Sequence, residues 1–526
     1  MKMSSNALKP INILHYESIR KDSVIEGFQS FLKEIFKMIG YDANIMMNYD
    51  ANIIIDKSRS TSFREIATTN NIDIFVCDLL FGSSHFLGLD IIQAIKDECP
   101  EIPVFAMSEA QIPHNKTSSI RPTFDLFISK DLRLDDAYKQ YIAEEIKRVF
   151  NSQLGVTIEY DSDSDVYSDK PELKNQFERL LKKIVFTSHN SRSETCIDYI
   201  KLNLLKGGFS GSFVFRMHCI ASNKESCIHA VLKVSEVKNA EIEIENYLNY
   251  VKWYLPYTWR PEMLAHSIGK DIGLICYAFA YNDDVQFEPL SYHVSKNHVG
   301  KVKCAISLIF DAGKQKWYKN SRKISGSINE FYYSKYFSNG RKRPHEEFSK
   351  IMENNGGTVV GNNEYRLGGE IYPMPNILCA RSLPNDYYEH ICHGDLNSNN
   401  ILISKEDSLI FIDFQDTENG HAFLDFITFE LSLRLDYNFN LSLIELTLLE
   451  QQIESKIDEE SLWGMMALVR RAAFDNCQLE VKTHYYYGLC MCAFKLLRLS
   501  GLVEWKKNQL VACLLVNLKK IDSFTK

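Results

Sequence analysis

The sequence predicts an α/β domain followed by an α+β module: a doubly wound parallel sheet over roughly the first 150 residues, then strands, then helices. Three observations predict it. Near the N-terminus, short apolar runs alternate with amphipathic segments. Between about 200 and 280, glycines and alternating strands cluster. Beyond residue 425, apolar residues recur at three- and four-residue spacing.

The first sheet is read from buried runs at 13–16, 53–55, 72–78, 102–108 and 126–130. In such sheets the working groups sit at the carboxyl ends of the strands. Asp78, Ser108 and Lys130 all lie there, and Glu17-Ser18 follows the first strand. This pattern, over 8–150, resembles a two-component receiver domain. The resemblance implies that Asp78 is the phosphoacceptor, Ser108 the switch hydroxyl and Lys130 the phosphate-pairing lysine, with Gly88-Leu89-Asp90 entering a helix. It also implies an upstream phosphorelay or signalling partner. A receiver normally ends its first strand with two acidic residues that bind Mg²⁺, and here Glu17 stands alone beside Ser18. Metal affinity at Asp78 is therefore expected to fall. The domain is expected to react poorly with small phosphodonors, or to serve only as an interaction surface.

Residues 151–200 are read as an acidic linker followed by a helix. From Glu159 to Asp169 acids alternate with small polar residues, leaving little to bury, so a flexible linker is expected. Its Asp spacing lacks the mid-loop Gly and terminal Glu of a calcium loop. Phe177, Leu180, Leu181, Ile184 and Val185 then recur at helical spacing and predict a helix that packs on the next module.

That module opens, over 201–282, with a glycine-rich turn containing Gly207, Gly208, Ser210, Gly211 and Ser212. Glycines let a backbone approach phosphate oxygens, and serines add donors, although the same residues also make an ordinary hairpin. A second strand carries Lys233 in an apolar run, where a lysine is costly unless paired. The following helix offers Glu241 and Glu245 on one face and Glu243 on another. Glu245 is taken as the partner of Lys233, Glu241 is the alternative, and a solvated face is the bland reading. An apolar strand at 272–279 completes the set.

The most specific stretch is His393-Gly394-Asp395-Leu396-Asn397-Ser398-Asn399-Asn400-Ile401-Leu402, followed by an apolar strand and Asp413-Phe414. Phosphoryl transfer needs a carboxylate facing the acceptor hydroxyl and oxygen ligands for Mg²⁺. Asp395 fits the first role, Asn400 and Asp413 the second. The His-x-Asp-x-x-x-x-Asn spacing matches the catalytic loop of protein kinases, but Gly394 replaces the usual Arg and Gln415 the final Gly of Asp-Phe-Gly. The stretch resembles the aminoglycoside phosphotransferase and choline kinase branch of the kinase-like fold. Asp425 fits a further acid that this branch carries about a dozen residues later. The resemblance, covering about 190–520, implies a bilobal module with a mainly helical C-lobe, ATP and Mg²⁺ as cofactors, Lys233 tied to Glu245 on the phosphates, the 207–212 turn above them, and 272–279 as hinge.

Residues 283–526 form the expected C-lobe. Within it, an insert at about 283–385 is basic and aromatic: 295–350 carries 13 Lys plus Arg against 4 Asp plus Glu, interleaved with Trp317, Tyr318, Phe331, Tyr332, Tyr333, Tyr336 and Phe337. In the resembled branch this part contributes substrate-binding surface, which points to an anionic acceptor, an acidic protein segment or nucleic acid. A solvated helical face with core aromatics accounts for the same composition. Arg341-Lys342-Arg343 is its sharpest basic cluster. Helices are expected at 431–453, 462–476 and 485–502.

Composition sets the outer bounds. The 526 residues, 45% hydrophobic, suffice for two or three domains, and a net charge of -8 excludes a globally basic nucleic-acid binder. No apolar run has the length of a signal peptide or membrane span. Thirteen scattered cysteines suit a reducing cytoplasm, and the receiver resemblance suggests a bacterial one. The expectation is a cytoplasmic phosphotransferase that moves the γ-phosphoryl group of ATP to a hydroxyl on an unidentified protein or small molecule, regulated or localised by the receiver-like domain, in signalling or stress defence by analogy. A catalytically silent scaffold and a kinase-fold nucleotidyl transferase are the alternatives.

Overall fold

The computed structural model describes residues 9–16, 22–39, 41–48, 63–70, 72–79, 87–99, 102–108, 126–129, 136–150, 156–161, 164–189, 197–205, 212–221, 226–278, 287–310, 317–318, 321–337, 342–379, 383–499 and 501–524. The chain divides into two compact units, Met1–Ile242 with Glu262–Phe279, and Glu243–Pro261 with Ala280–Lys526.

Five parallel strands open the first unit: β1 (Lys9–Tyr16), β2 (Tyr41–Asn48), β3 (Ile74–Asp78), β4 (Val104–Ser108) and β5 (Leu126–Ser129). Their order is β2-β1-β3-β4-β5, the doubly wound order expected of a receiver-type sheet. Every residue of β3 and β4 is buried, because helices cover both faces. Phe28, Leu32 and Ile35 of the helix Asp22–Met38 join Ile142 and Ile146 of Asp136–Phe150 on one face. Phe63, Ile91, Ile92 and Ile95 line the other. The second strand differs from the sequence reading. It is Tyr41–Asn48, and the run at 53–55 lies outside the described residues. As an edge strand paired with β1 alone, it exposes Asp42 and Asn44 around buried Ala43, so its apolar run is confined to Ile45-Met46-Met47.

The second sheet of this unit contains β6 (Thr157–Tyr160), β7 (Ile197–Leu204), β8 (Phe213–Ala221), β9 (Ser226–Glu236), β10 (Met263–Ile268) and β11 (Ile272–Ala278), in the order β10-β11-β9-β8-β7-β6. The helix Pro171–His189 packs on it through Phe177, Leu180, Leu181, Ile184 and Val185, the five residues whose spacing predicts it. Gln176 fixes the β10–β11 turn, donating to Asp271 Oδ2 at 3.0 Å and accepting from Ile272 N at 3.0 Å.

The acidic linker is corrected. Its described part is docked onto this sheet: β6 pairs with β7, buried Ser164 Oγ accepts from Leu204 N at 2.8 Å, and Asn203 Nδ2 donates to Asp161 Oδ2 at 2.8 Å. Tyr167 packs against Phe177 and Phe213. The apolar residues set between the acids, Tyr160, Val166 and Tyr167, anchor what the charge pattern alone makes look free.

In the second unit the strands are β12 (Phe287–Pro289), β13 (Arg322–Ser325), β14 (Thr358–Val360), β15 (Glu364–Leu367), β16 (Glu370–Pro373), β17 (Asp386–Cys392), β18 (Ile401–Ser404), β19 (Leu409–Phe411) and β20 (Glu418–His421). They form three small sheets, β12-β18-β19, β13-β17-β20 and β14-β15-β16. Helices supply the rest, including Leu424–Asp436, Leu443–Gln451, Leu462–Asn476, Lys482–Leu496 and Glu504–Phe524. The single helix expected at 431–453 is two, because Tyr437 turns extended, Asn440 takes a φ of 51° and Ser442 opens a new helix through a capping box with Glu445. Their centre holds a buried charge network. Arg434 and Arg470 both pair with Glu430 and Glu450, while Tyr485 Oη donates to Glu430 Oε2 at 2.6 Å.

The described part of the insert at 283–385 contributes to this unit's core. Trp317, Tyr318, Tyr332, Tyr336 and Phe337 are buried, so the aromatic stripe packs the lobe, and Tyr333 is the exposed member. Several of its cations face acids: Lys301 with Asp407 at 2.5 Å, Lys323 with Asp386 at 2.7 Å, and Lys335 with Glu418. Among the described residues no helix is long and apolar enough to cross a membrane, and the described cysteines are free thiols, nearly all buried.

Candidate active site

Strand β17 delivers the loop 393–400, and the β18–β19 hairpin returns the chain to it at Asp413. The loop is held from below by Asp425, the first acid of the helix Leu424–Asp436, which is fully buried. Asp425 Oδ2 accepts from His393 N at 2.8 Å and Oδ1 from Gly394 N at 3.0 Å, while Tyr318 Oη donates to Oδ2 at 3.4 Å. Two otherwise orphaned backbone donors are thus satisfied by one carboxylate. His393 Nε2 lies 3.0 Å from the Ile412 carbonyl, and Thr417 Oγ1 donates to the His393 carbonyl at 3.4 Å.

Gly394 is a geometric necessity. Its φ is 82°, and a Cβ there would lie 1.9 Å from the Asp416 carbonyl oxygen. The arginine of a protein kinase loop has no room at this position.

Asp395 sits half-buried at the head of the loop. Asn397 Nδ2 donates to its Oδ2 at 2.9 Å, and Asn400 Nδ2 donates to the same oxygen at 3.1 Å and to its carbonyl at 2.9 Å. Burial pushes the Asp395 carboxyl above the ordinary aspartate range; His393 opposes that, the Asp416 and Asp413 carboxylates add to it, and Lys495 opposes it again. A carboxylate with raised proton affinity beside further carboxylates is suited to take a proton from a hydroxyl.

Asn400 spends its amide nitrogen on Asp395, so Oδ1 is the amide atom turned elsewhere. Ile412 N donates to the Asn400 carbonyl at 3.0 Å, which sets the 400 and 412–413 segments side by side. Asp413 occupies the left-handed region at φ 65°, a conformation that short polar side chains tolerate better than others. Asn246 steadies the turn beyond it, donating to the Gln415 carbonyl at 2.8 Å, and Tyr247 meets Phe414 edge-on at 6.0 Å. Asp395, Asn400 and Asp413 are therefore gathered as the sequence spacing predicts. The amide oxygen of Asn400 and the carboxylate of Asp413 are hard donors, a set that fits Mg²⁺.

On the nucleotide side the three acids of the helix differ in exposure. On the helix Val237–Asn246 both Glu245 and Glu241 are exposed, and the buried acid is Glu243, 1% exposed. Glu243 lies beside buried Ile244 and one turn from Ala240 and Tyr247, so the side the sequence reading set aside is the inner one. Lys233 is 7% exposed on β9, between Val214 of β8 and Ile275 of β11. Ser212 precedes β8; Gly207, Gly208, Ser210 and Gly211 lie outside the described residues. In the first sheet, Asp78 and Ser108 are buried at adjacent strand ends, where Asp78 pairs with Met107. A Cβ at Gly88 would lie 2.0 Å from the Asp78 carbonyl, which accounts for that glycine. Glu17 and Lys130 are outside the described residues.

Sequence reasoning missed the supporting roles of Asn246, Asp416 and Thr417. Only Asp425 carried a signal, its distance from the loop. Replacing Asp425 with Asn should put an amide N–H against one of the two backbone donors, destabilising the loop by about 1–3 kcal/mol. Thermal unfolding of Asp425→Asn together with its transfer rate checks this; an unchanged rate would show that the loop holds itself.

Residues 377–435 match the model of the phosphotransferase enzyme family. No curated protein matches the chain. Among solved structures, a thermostable mutant of the aminoglycoside phosphotransferase APH(4)-Ia, in ternary complex with ADP and hygromycin B, is similar at 10% identity, with 60% of this chain and 93% of that chain covered and a TM-score of 0.34. The signal receiver domain of a DNA-binding response regulator from Colwellia psychrerythraea 34H is similar at 19% identity, over 26% of this chain and 98% of that one, with a TM-score of 0.19. A response regulator from Thermotoga maritima is similar at 18%, over 27% and 99%, with a TM-score of 0.18.

Proposed function

We propose that the chain transfers the γ-phosphoryl group of ATP to a hydroxyl group of an acceptor. The observation that carries this reading is the convergence of Asp395, Asn400 and Asp413 on one loop and hairpin, within the segment that matches the phosphotransferase family. Asp395 orients the acceptor hydroxyl and takes its proton as the oxygen attacks. Asn400 and Asp413 hold Mg²⁺, which when bound neutralises charge on the phosphate oxygens. In this proposal Lys233 and the 207–212 turn carry the nucleotide-phosphate contacts, Lys233 from its buried place in an apolar strand.

The receiver-type sheet is proposed to regulate or localise the enzyme, with Asp78 and Ser108, buried at adjacent strand ends, as the proposed phosphoacceptor and switch hydroxyl.

Asp413→Ala is expected to weaken nucleotide binding in Mg²⁺ by about 1–3 kcal/mol, the scale of a charged hydrogen-bonding group lost from a site. Without Mg²⁺ the two chains should bind alike. Calorimetry with ADP, with and without Mg²⁺, checks this, and equal affinities in Mg²⁺ would place the metal on other residues.

A further inference from the structure

Outside the loop, three buried side chains converge in the second unit: His421 at the end of β20, Glu480 two residues before the helix Lys482–Leu496, and His484 in its first turn. Their ligating atoms all lie within 4.8 Å of one another. We propose that His421, Glu480 and His484 bind a divalent transition metal of the Zn²⁺ type, which staples the sheet carrying the catalytic loop to the helical lobe.

The imidazoles are incompletely satisfied as they stand. His421 Nδ1 is held at 2.7 Å by Tyr332 Oη, so Nε2 is the nitrogen that faces Glu480, 3.6 Å from Oε2. That separation is too long for a hydrogen bond, and Nε2 has no other partner in its buried site. If Nδ1 carries the proton and donates to Tyr332, the Nε2 lone pair points at a carboxylate oxygen 3.6 Å away. A cation resolves that opposition. His484 Nδ1 lies 2.7 Å from Glu480 Oε1. Tetrahedral zinc, with ligands about 2.0–2.1 Å away, would replace that hydrogen bond and open the pair by roughly half an ångström, the His484 ring proton moving to Nε2.

The surroundings fit a ligand set. Glu480 Oε2 accepts from Tyr388 N at 2.6 Å and Oε1 from Val481 N at 2.8 Å, which aims the carboxylate while leaving each oxygen a second lone pair. Tyr332 orients His421 in the way outer groups orient metal-bound imidazoles. Two imidazoles and a carboxylate suit zinc among the divalent ions. The staple would also bear on the loop, because Tyr388 and His393 are joined by β17, and β17 pairs with β20 from Glu389–His421 to Cys392–Glu418. Sequence alone shows only the four-residue spacing of Glu480 and His484; His421 reaches them through the fold.

The test uses the full-length chain without a histidine tag, saturated with ZnCl2, desalted and analysed for metal by mass spectrometry. One zinc per chain is expected, with a thermal midpoint that falls when a chelator strips it and recovers on adding Zn²⁺. Glu480→Gln and His484→Ala should lose the metal, whereas His390→Ala, at a neighbouring buried histidine outside the set, should keep it. X-ray absorption on the zinc-loaded native chain needs no variant to fold, and should show imidazole and oxygen ligands. A native chain that emerges metal-free, with a midpoint indifferent to chelator and Zn²⁺, overturns the proposal. So does stoichiometric zinc with sulfur ligands, since buried Cys392 and Cys477 lie near this strand end.

Discussion

Asp395→Asn is expected to slow phosphoryl transfer by on the order of 10²- to 10⁴-fold, the usual range for losing a positioned general base. Nucleotide affinity should stay nearly unchanged. The substitution keeps shape and an acceptor oxygen for Asn397 and Asn400, so the loop has little reason to move. What it removes is the group that takes the proton. Burial and the neighbouring Asp416 and Asp413 carboxylates raise the Asp395 pKa, so the native rate should decline on acidification from a pH above the ordinary aspartate range of about 4. Single-turnover transfer beside calorimetric nucleotide binding separates the effects. A variant as fast as the native chain, or one that loses binding as much as rate, would remove Asp395 from this role.

The largest stability effect is expected at Glu430. This fully buried carboxylate accepts from Arg470 Nε at 3.0 Å and from Tyr485, and pairs with Arg434. Glu430→Gln leaves two buried guanidinium groups with Glu450 as their remaining buried carboxylate, a defect of about 3–5 kcal/mol. Calorimetric unfolding of the C-terminal unit should show it as a large drop in midpoint. A drop no larger than that of a surface change would mean the network contributes specificity and little stability.

The same group sets a pH dependence. Burial opposes ionisation of Glu430, but Arg470 and Arg434 outweigh it and hold its pKa at about 2. A depressed folded-state pKa contributes stability that is fully present above the unfolded value of about 4.3, and is lost as pH falls toward 2. Acid unfolding of the C-terminal unit is therefore expected between those limits.

The catalytic half was legible because phosphoryl transfer fixes residue types at fixed local offsets. His393 to Asn400 is one loop, and Asp413 is one hairpin away, so local spacing suffices. The five strands of the first sheet were legible where both faces are buried, and not at β2, an edge with an alternating polar surface. Which acid of the Val237–Asn246 helix is buried was not legible, because Glu241, Glu243 and Glu245 differ only in which way the helix is turned, and Glu243 is the buried one beside Ile244. Charge pattern misled at the acidic segment, which Tyr167 and the partly buried Tyr160 and Val166 anchor; in the basic insert, Lys301, Lys323 and Lys335 face acids far along the chain. Asp425 and the His421–Glu480–His484 cluster depend on tertiary proximity, which no local spacing encodes.

The central claim concerns which bond of the nucleotide breaks. The full-length chain with Mg²⁺ and heat-treated cell extract would be given ATP labelled at the γ phosphate or at the α phosphate, with Asp395→Asn as the control. The account predicts that label reaches an acceptor from the γ position only, with ADP as the nucleotide product, and that the control transfers almost none. Label transferred from the α position, with pyrophosphate released, would contradict it and make the chain a nucleotidyl transferase.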